Sequence, residues 1–238
     1  MTPLHSRQEA GLRAPKSRST NIRPEGLTAH YGGPSPWGAG VDRTSPARFA
    51  ATCDHARCPT IWRSWQSFHM DANGWVDIAY TSGCCPHGHR YEGRGPGVRT
   101  AANGTNDGNL RSHATVYIAG DGDPLTDAAR RAFLDEQARL GPLRWDHGDW
   151  KPTSCAGSPI RAWKKAGWPA PNQEDDMFDK PDRDTLTAVH WLATAAATDA
   201  KEALDIVRRL EVGGVDLDAL AVRVADELAE RLAPRTAG

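Results

Sequence analysis

The sequence predicts a mixed α/β fold, a central β-sheet flanked by helices, followed by a small α-helical segment at the C-terminal end. Three observations lead there. Before residue 168, short apolar runs of strand character alternate with segments whose apolar residues recur at helical spacing, and such interleaving builds a sheet covered by helices. The chain carries 23 Gly and 17 Pro in 238 residues, so many of its connections are tight turns. Beyond residue 185 Ala, Leu, Val and charged residues dominate, and the pattern becomes helical throughout.

Glu25-Gly-Leu-Thr-Ala-His-Tyr31 reads as a strand running into the turn residues Gly32, Gly33, Pro34 and Pro36. Ser45-Pro46 opens a helix, because serine caps the first turn and proline is tolerated there. Thr60 reads as the cap of a second helix, with Ile61, Trp65 and Phe68 on one face. Trp75-Val-Asp-Ile-Ala-Tyr80 alternates with period two, Pro86-His-Gly88 turns the chain and His89-Arg-Tyr-Glu returns, which predicts a hairpin. Ala114-Thr-Val-Tyr-Ile-Ala119, bounded by Gly120, is apolar enough for a central buried strand. Thr126 caps a helix carrying Ala129, Ala132, Phe133 and Leu140, and Gly141-Pro142 ends it.

The domain plan is therefore a domain over 1–168, a polar, proline-punctuated linker over 169–184 and a helical region over 185–233. That last region breaks at Gly213-Gly214, after which Leu217, Leu220, Val224, Leu228 and Leu232 form one apolar stripe. A two-helix cap is the simplest way to bury the stripe, and self-association through it is the alternative.

Charge excludes some partners. With 29 Lys+Arg against 30 Asp+Glu the chain has no basic field to attract nucleic acid or anionic lipid. The most apolar run, 188–197, is far short of the roughly 20 residues a bilayer span requires, so no stable membrane insertion is expected. Arg7, Arg13, Lys16, Arg18 and Arg23 interrupt the N-terminal region, which therefore lacks a secretory pattern and predicts synthesis in the cytoplasm. Five cysteines is an odd number, and adjacent Cys84-Cys85 is unlike a secreted disulfide framework. At least one thiol has another task.

One loop, Trp145-Asp-His-Gly-Asp-Trp-Lys-Pro-Thr-Ser-Cys155, brings His147 and Cys155 within reach of each other, with Pro152 preventing a continuous helix between them. Imidazole and thiolate both bind zinc, and a catalytic zinc needs a third protein ligand and an open position. Taken alone, such a pair is more often two unrelated loop residues. Cys53-Asp-His-Ala-Arg-Cys58 has the look of a metal knuckle, yet no second pair follows at finger spacing. His87 and His89 flank a turn and read as solvated, and at least one of Cys84 and Cys85 belongs to the core.

Six ordered motifs go further: Ser6 to Arg18, Leu27-Thr-Ala-His30, Phe68-His-Met70, Gly74 to Tyr80, Tyr91-Glu-Gly-Arg-Gly95, and His147 to Cys155. Together they resemble the peptidoglycan-recognition-protein and type-2 N-acetylmuramoyl-L-alanine amidase superfamily, especially the amidase endolysins of phages that infect actinobacteria. The resemblance covers residues 5 to about 165. It implies a Zn2+ ion held by His30, His147 and Cys155, with Tyr80 orienting the attacking water and stabilising the transition state, and Thr153 adding a hydrogen bond where some members have lysine. Asp149 and Lys151 match no catalytic position and read as solvated loop charges. His69 matches a histidine that supports the fold. Relatives that only recognise their ligand usually lose the cysteine, which this chain keeps. Animal members carry a disulfide near Cys53 and Cys58, which implies that these two pair after export.

The chain departs from the family at Thr100 to Asn109, where Asn103 replaces a histidine of many relatives that does not bind zinc. Asn103, Thr105 and Asn109 become candidates for hydrogen bonding substrate in the groove, with Trp37 and Arg94 as wall candidates. The implied activity is cleavage of the amide between muramic acid and L-alanine, with peptidoglycan as partner. The implied setting is an endolysin that waits in the host cytoplasm until a separate membrane protein gives access to the wall. Two alternatives remain at this point: a non-catalytic peptidoglycan-binding module of the same fold, and a structural or regulatory zinc protein that uses Cys53 and Cys58 and recruits a partner through its C-terminal helix.

Overall fold

Every residue of the segments Gly26–Tyr31 and Ser112–Tyr117 is buried, as strands covered on both faces must be. They are the central strands of a six-stranded sheet in the computed structural model, which describes residues 1–171. In chain order the elements are β1 (Leu4–His5), β2 (Gly26–Tyr31), α1 (Pro46–Thr52), α2 (Arg57–Ser67), β3 (Ser82–Cys84) and β4 (Arg90–Glu92). There follow α3 (Asn106–Arg111), β5 (Ser112–Tyr117), α4 (Asp127–Leu140), β6 (Leu143–Asp146) and α5 (Ser158–Lys165). The strand order is β1-β4-β3-β5-β2-β6. Only the β3–β4 hairpin is antiparallel, and β2 and β5 run in continuous register from Gly26↔Ser112 to Tyr31↔Tyr117. The mixed sheet flanked by helices is the predicted fold class.

The predicted caps explain two helices. Ser45 accepts a hydrogen bond from the Arg48 amide at the start of α1, and Thr126 accepts from Ala129 at the start of α4. Ala129, Ala132, Phe133 and Leu140 are the buried apolar face of α4, with Glu136 among them. By contrast, α2 begins before Thr60. The Asp54 side chain accepts from the Ala56 amide at 2.9 Å and starts the helix there, and Pro59 is tolerated because the first turn needs no intrahelical donor. Phe68 leaves the predicted face because the helix widens into a π-helical turn over Phe68–Ala72, and its side chain is exposed.

The strand expected over 75–80 does not form. Asp77, at the centre of the alternating pattern, is buried and accepts from Arg7 at 2.9 Å, Gln66 at 2.7 Å and the Ile78 amide at 2.8 Å. The Ala79 amide donates to His69 Nδ1 and the Val76 carbonyl accepts from Lys16. Those groups are thereby unavailable to a strand ladder. The hairpin turn is where it was predicted, but its first strand is β3. At Gly83 a Cβ would stand 2.8 Å from Trp62, so glycine lets α2 lie close against the sheet.

Met1–Pro171 form one compact unit. No described helix is long and apolar enough to cross a membrane. The linker beyond Pro171 and the helices expected over 185–233, with their apolar stripe, lie outside the described residues.

Candidate functional site

The site lies at the C-terminal ends of β2 and β6. His30 stands near the end of β2, where the strand is flanked by β5 and β6, and is 1% exposed. His147 follows β6 directly, in a short 3-10 turn over His147–Asp149. The turn is fixed by a capping box in which Asp146 accepts from the Gly148 amide and Asp149 from the Asp146 amide. Lys164 of α5 bridges the two carboxylates, so Asp149 is tied into the turn. Cys155 comes back past Pro152. The Tyr31 amide donates toward its sulfur at 3.4 Å, Thr153 Oγ1 accepts from its amide at 3.2 Å, and Arg161 donates to its carbonyl at 2.9 Å.

These three side chains converge, with one ligand atom of each within 4.8 Å of the others. Cys155 Sγ is 3.6 Å from His30 Nδ1, and the two imidazoles lie 4.7 Å apart between ring centres. For zinc–sulfur and zinc–nitrogen bonds of about 2.3 and 2.0 Å, tetrahedral ligand atoms are about 3.6 Å apart. His147 Nε2 is buried and has no hydrogen-bond partner among the described residues. A buried lone pair left idle is costly unless something accepts it, and a cation does. Gly104 makes room, since a Cβ there would stand 2.8 Å from His147 Nε2. The donor set, two imidazoles and one thiol with a fourth position left over, fits a catalytic zinc.

Electrostatics favour the same use. Burial, then the neighbouring His147, push the His30 imidazole down to about 3, and burial, then Lys151, lowers His147. Both rings are therefore neutral and carry a lone pair at physiological pH. Burial pushes the Cys155 thiol up to about 11, so binding a cation there releases its proton.

Tyr80 completes the centre. Its ring lies 5.6 Å from that of His30 and is held by Trp62 and Trp65 at 6.3 Å and by His69 at 5.8 Å. Burial pushes its phenol well up, so it remains an O–H donor. His69 supports it: Nδ1 accepts from the Ala79 amide, Trp75 stacks on the ring at 5.0 Å, and burial pushes the imidazole down to about 4. Thr153 caps the cysteine loop with its oxygen and keeps its hydroxyl proton for donation.

The groove candidates have partners within the chain. Asn103 is wholly buried. Its Nδ2 donates to the carbonyls of Gly108 at 2.7 Å and Ser112 at 3.2 Å, which turns Oδ1 toward His30 Nε2 at 2.8 Å. An acceptor at that distance requires the proton on Nε2 and leaves the Nδ1 lone pair facing Cys155, as outer-shell partners of metal-binding histidines do. Asn103 is thus buried behind His30 and fixes that ring's orientation, rather than lining an open groove. Asn109 Oδ1 is engaged by the Asn103 amide and Thr100, and Thr105 caps α3 by accepting from Gly108. Trp37 is 3% exposed and donates to the Ile118 carbonyl, so it belongs to the core. Arg94 donates to the carbonyls of Ile78 and Arg99, bracing the segment before Tyr80. Asn103→Leu is expected to weaken zinc binding or hydrolysis about 10- to 100-fold with the fold retained, measured by zinc titration against a competing chelator.

No family profile matches the chain. Peptidoglycan-recognition protein SC2 of Drosophila simulans is 30% identical over 131 residues, which is 48% of this chain and 67% of that protein. The chain belongs to the peptidoglycan-recognition protein and type-2 amidase superfamily. Another member, the N-acetylmuramoyl-L-alanine amidase of Sus scrofa, is 33% identical over 126 residues, 47% of this chain and 21% of that protein. The chain thus spans about a fifth of the length of that relative and of its Homo sapiens counterpart, 21% in each case. Peptidoglycan-recognition protein structures share the fold. Wild-type Drosophila PGRP-LB superposes with a TM-score of 0.56 at 24% identity, covering 72% of this chain and 97% of that one. Human PGRP-IβC in complex with glycosamyl muramyl pentapeptide gives 0.53 at 20% identity, covering 70% of this chain and 96% of that one.

Proposed function

We propose that this chain is a zinc-dependent N-acetylmuramoyl-L-alanine amidase, hydrolysing the amide that joins N-acetylmuramic acid to the first L-alanine of peptidoglycan. The carrying observation is the convergence of His30, His147 and Cys155 beside Tyr80, with His147 Nε2 otherwise unpartnered. A module that only recognises peptidoglycan has no need of that set. Similarity to amidases and peptidoglycan-recognition proteins supports the choice of substrate. In this reading the enzyme is a phage endolysin that acts on the wall from the host cytoplasm once a separate membrane protein opens the way.

When bound, the ion lowers the pKa of its water to about 7 and polarises the scissile carbonyl. The chain's own residues set up the rest. Asn103 holds the His30 proton on Nε2, and burial keeps both imidazoles neutral. As the carbonyl becomes tetrahedral, its oxygen gains negative charge and needs a donor that is already in place. Tyr80 is that donor, fixed by three aromatic neighbours and protonated at neutral pH, and Thr153 is the second. Asp149 is occupied by the Asp146 amide and Lys164, so it is not poised as a general base.

Purified chain incubated with peptidoglycan is expected to expose new N-terminal L-alanine on intact glycan strands. A chelator should stop the release and added zinc restore it. Binding to the polymer with no amine released would establish the recognition-only reading instead. Tyr80→Phe keeps the ring and removes the donor. It is expected to lower kcat about 100-fold with KM little changed, and an unchanged kcat would remove Tyr80 from the chemistry.

A further inference from the structure

The segment before α2 that resembled half of a metal knuckle meets the β3–β4 turn. His55 and Cys58 come from the start of α2 and the loop before it, Cys85 and His87 from the turn, and one ligand atom of each lies within 4.8 Å of the others. Cys58 Sγ is 3.5 Å from His87 Nδ1, and Cys85 Sγ is 3.8 Å from that same nitrogen and 4.0 Å from His55 Nδ1. A tetrahedral zinc with both ligand types separates neighbouring S and N atoms by about 3.6 Å. The edges are already close to that value.

The second observation concerns His87. Its Nε2 lies 2.8 Å from the Cys53 carbonyl, which can only accept, so Nε2 carries the proton and Nδ1 presents its lone pair to both sulfurs. A backbone carbonyl holding the far nitrogen in this way is the usual orienter of a metal-binding imidazole. His87 was read from sequence as solvated, but its ring is half-buried against Trp37 and His55. Cys58 and Cys85 are both 0% exposed, and all five cysteines are free thiols. Cys53 lies on the other side of the imidazole, 3.5 Å from Nε2, and flanks the group. His89 is engaged with His5 at 2.8 Å.

We propose that His55, Cys58, Cys85 and His87 bind a second zinc ion, separate from the centre at His30, His147 and Cys155. Two thiolates and two imidazoles suit zinc and not the hard cations magnesium or calcium, and four protein ligands leave no open position, so this ion is structural. It ties the start of α2 to the hairpin turn. The same helix carries Trp62 and Trp65, the rings that hold Tyr80.

Zinc counted by mass spectrometry on the purified full chain tests this. Wild type should hold two ions per chain, His147→Ala/Cys155→Ser one, and the same protein with Cys85→Ser none. Cobalt exchanged into folded His147→Ala/Cys155→Ser should show thiolate-to-cobalt charge transfer with tetrahedral ligand-field bands. That spectrum decides the matter even where Cys85→Ser does not fold. A folded His147→Ala/Cys155→Ser protein without metal, or a disulfide among Cys53, Cys58 and Cys85 in unreduced protein, overturns the proposal. Peptidoglycan hydrolysis is not read in any arm, and an empty centre at His30, His147 and Cys155 would lower only the wild-type count to one, so failure of the amidase reading leaves the other arms intact.

Discussion

Cys155→Ser is expected to lower amide hydrolysis by about a thousandfold or more, while the variant and wild type, both stripped of metal, unfold at nearly the same temperature. In the proposed zinc centre the thiol is the one ligand that becomes negatively charged when a cation binds. Its sulfur is 3.6 Å from His30 Nδ1, a separation that suits a shared ion. Serine puts a neutral, shorter and poorly ionising group at the same place. Loss of metal-based stabilisation of the developing charge costs several kcal/mol, and about 4 kcal/mol corresponds to a thousandfold in rate. Cys155 lies in a loop outside the sheet, and a serine oxygen can still accept from the Tyr31 amide that now donates toward the sulfur, so stability should change little. Amine release within tenfold of wild type would falsify the assignment of Cys155 as a ligand. Release unchanged in wild type after exhaustive chelation would reject metal catalysis altogether.

The three residues of the proposed zinc centre were named at the level of sequence by the family resemblance, whereas the contacts that support them were not. The local pattern offered only His147 and Cys155 in a loop broken by proline, a pair weak by itself, and it was the ordered motifs of the family resemblance that added His30. The role of Asn103 depends on the carbonyls of Gly108 and Ser112 taking both of its N–H bonds, and nothing in the local sequence announces that. Without them the same asparagine would be free to face a substrate. The strand predicted over 75–80 failed for a related reason, since Asp77 bonds to Arg7 and Gln66, which are distant in sequence. β2, β5 and α4 were legible because burial on both faces, or on one helical face, leaves an unbroken or periodic apolar pattern. β1, with two residues, and β6, with its half-exposed middle, are too short to leave one. The second cluster of His and Cys escaped because its halves, His55 with Cys58 and Cys85 with His87, are joined only by the packing of α2 on the hairpin.

Glu136→Ala is expected to lower the unfolding free energy by about 3 to 5 kcal/mol, the largest single-residue stability loss argued from the fold. Glu136 is 0% exposed on the sheet-facing side of α4. It accepts from Arg90 of β4 at 3.1 Å and from Arg139 one helical turn on at 2.6 Å. The two arginines respond differently to its removal. Arg139 is 22% exposed and can turn to water, but Arg90 is 3% exposed and keeps only the Thr2 carbonyl as a described acceptor. A buried guanidinium without its counter-charge then bears most of its desolvation cost. Urea unfolding at neutral pH measures this as a fall in the midpoint with unchanged slope. Arg90→Met/Glu136→Leu should recover most of the loss, because an apolar pair of similar volume removes both charges at once. If Glu136→Ala costs less than about 1 kcal/mol, Arg90 is not confined, and β4 with its short neighbour β1 must open to solvent more readily than its burial indicates. β4 forms one side of the hairpin whose turn carries Cys85 and His87, so a loosened Arg90 would also loosen the proposed second zinc site. Zinc content measured on Glu136→Ala therefore reports whether the two are coupled.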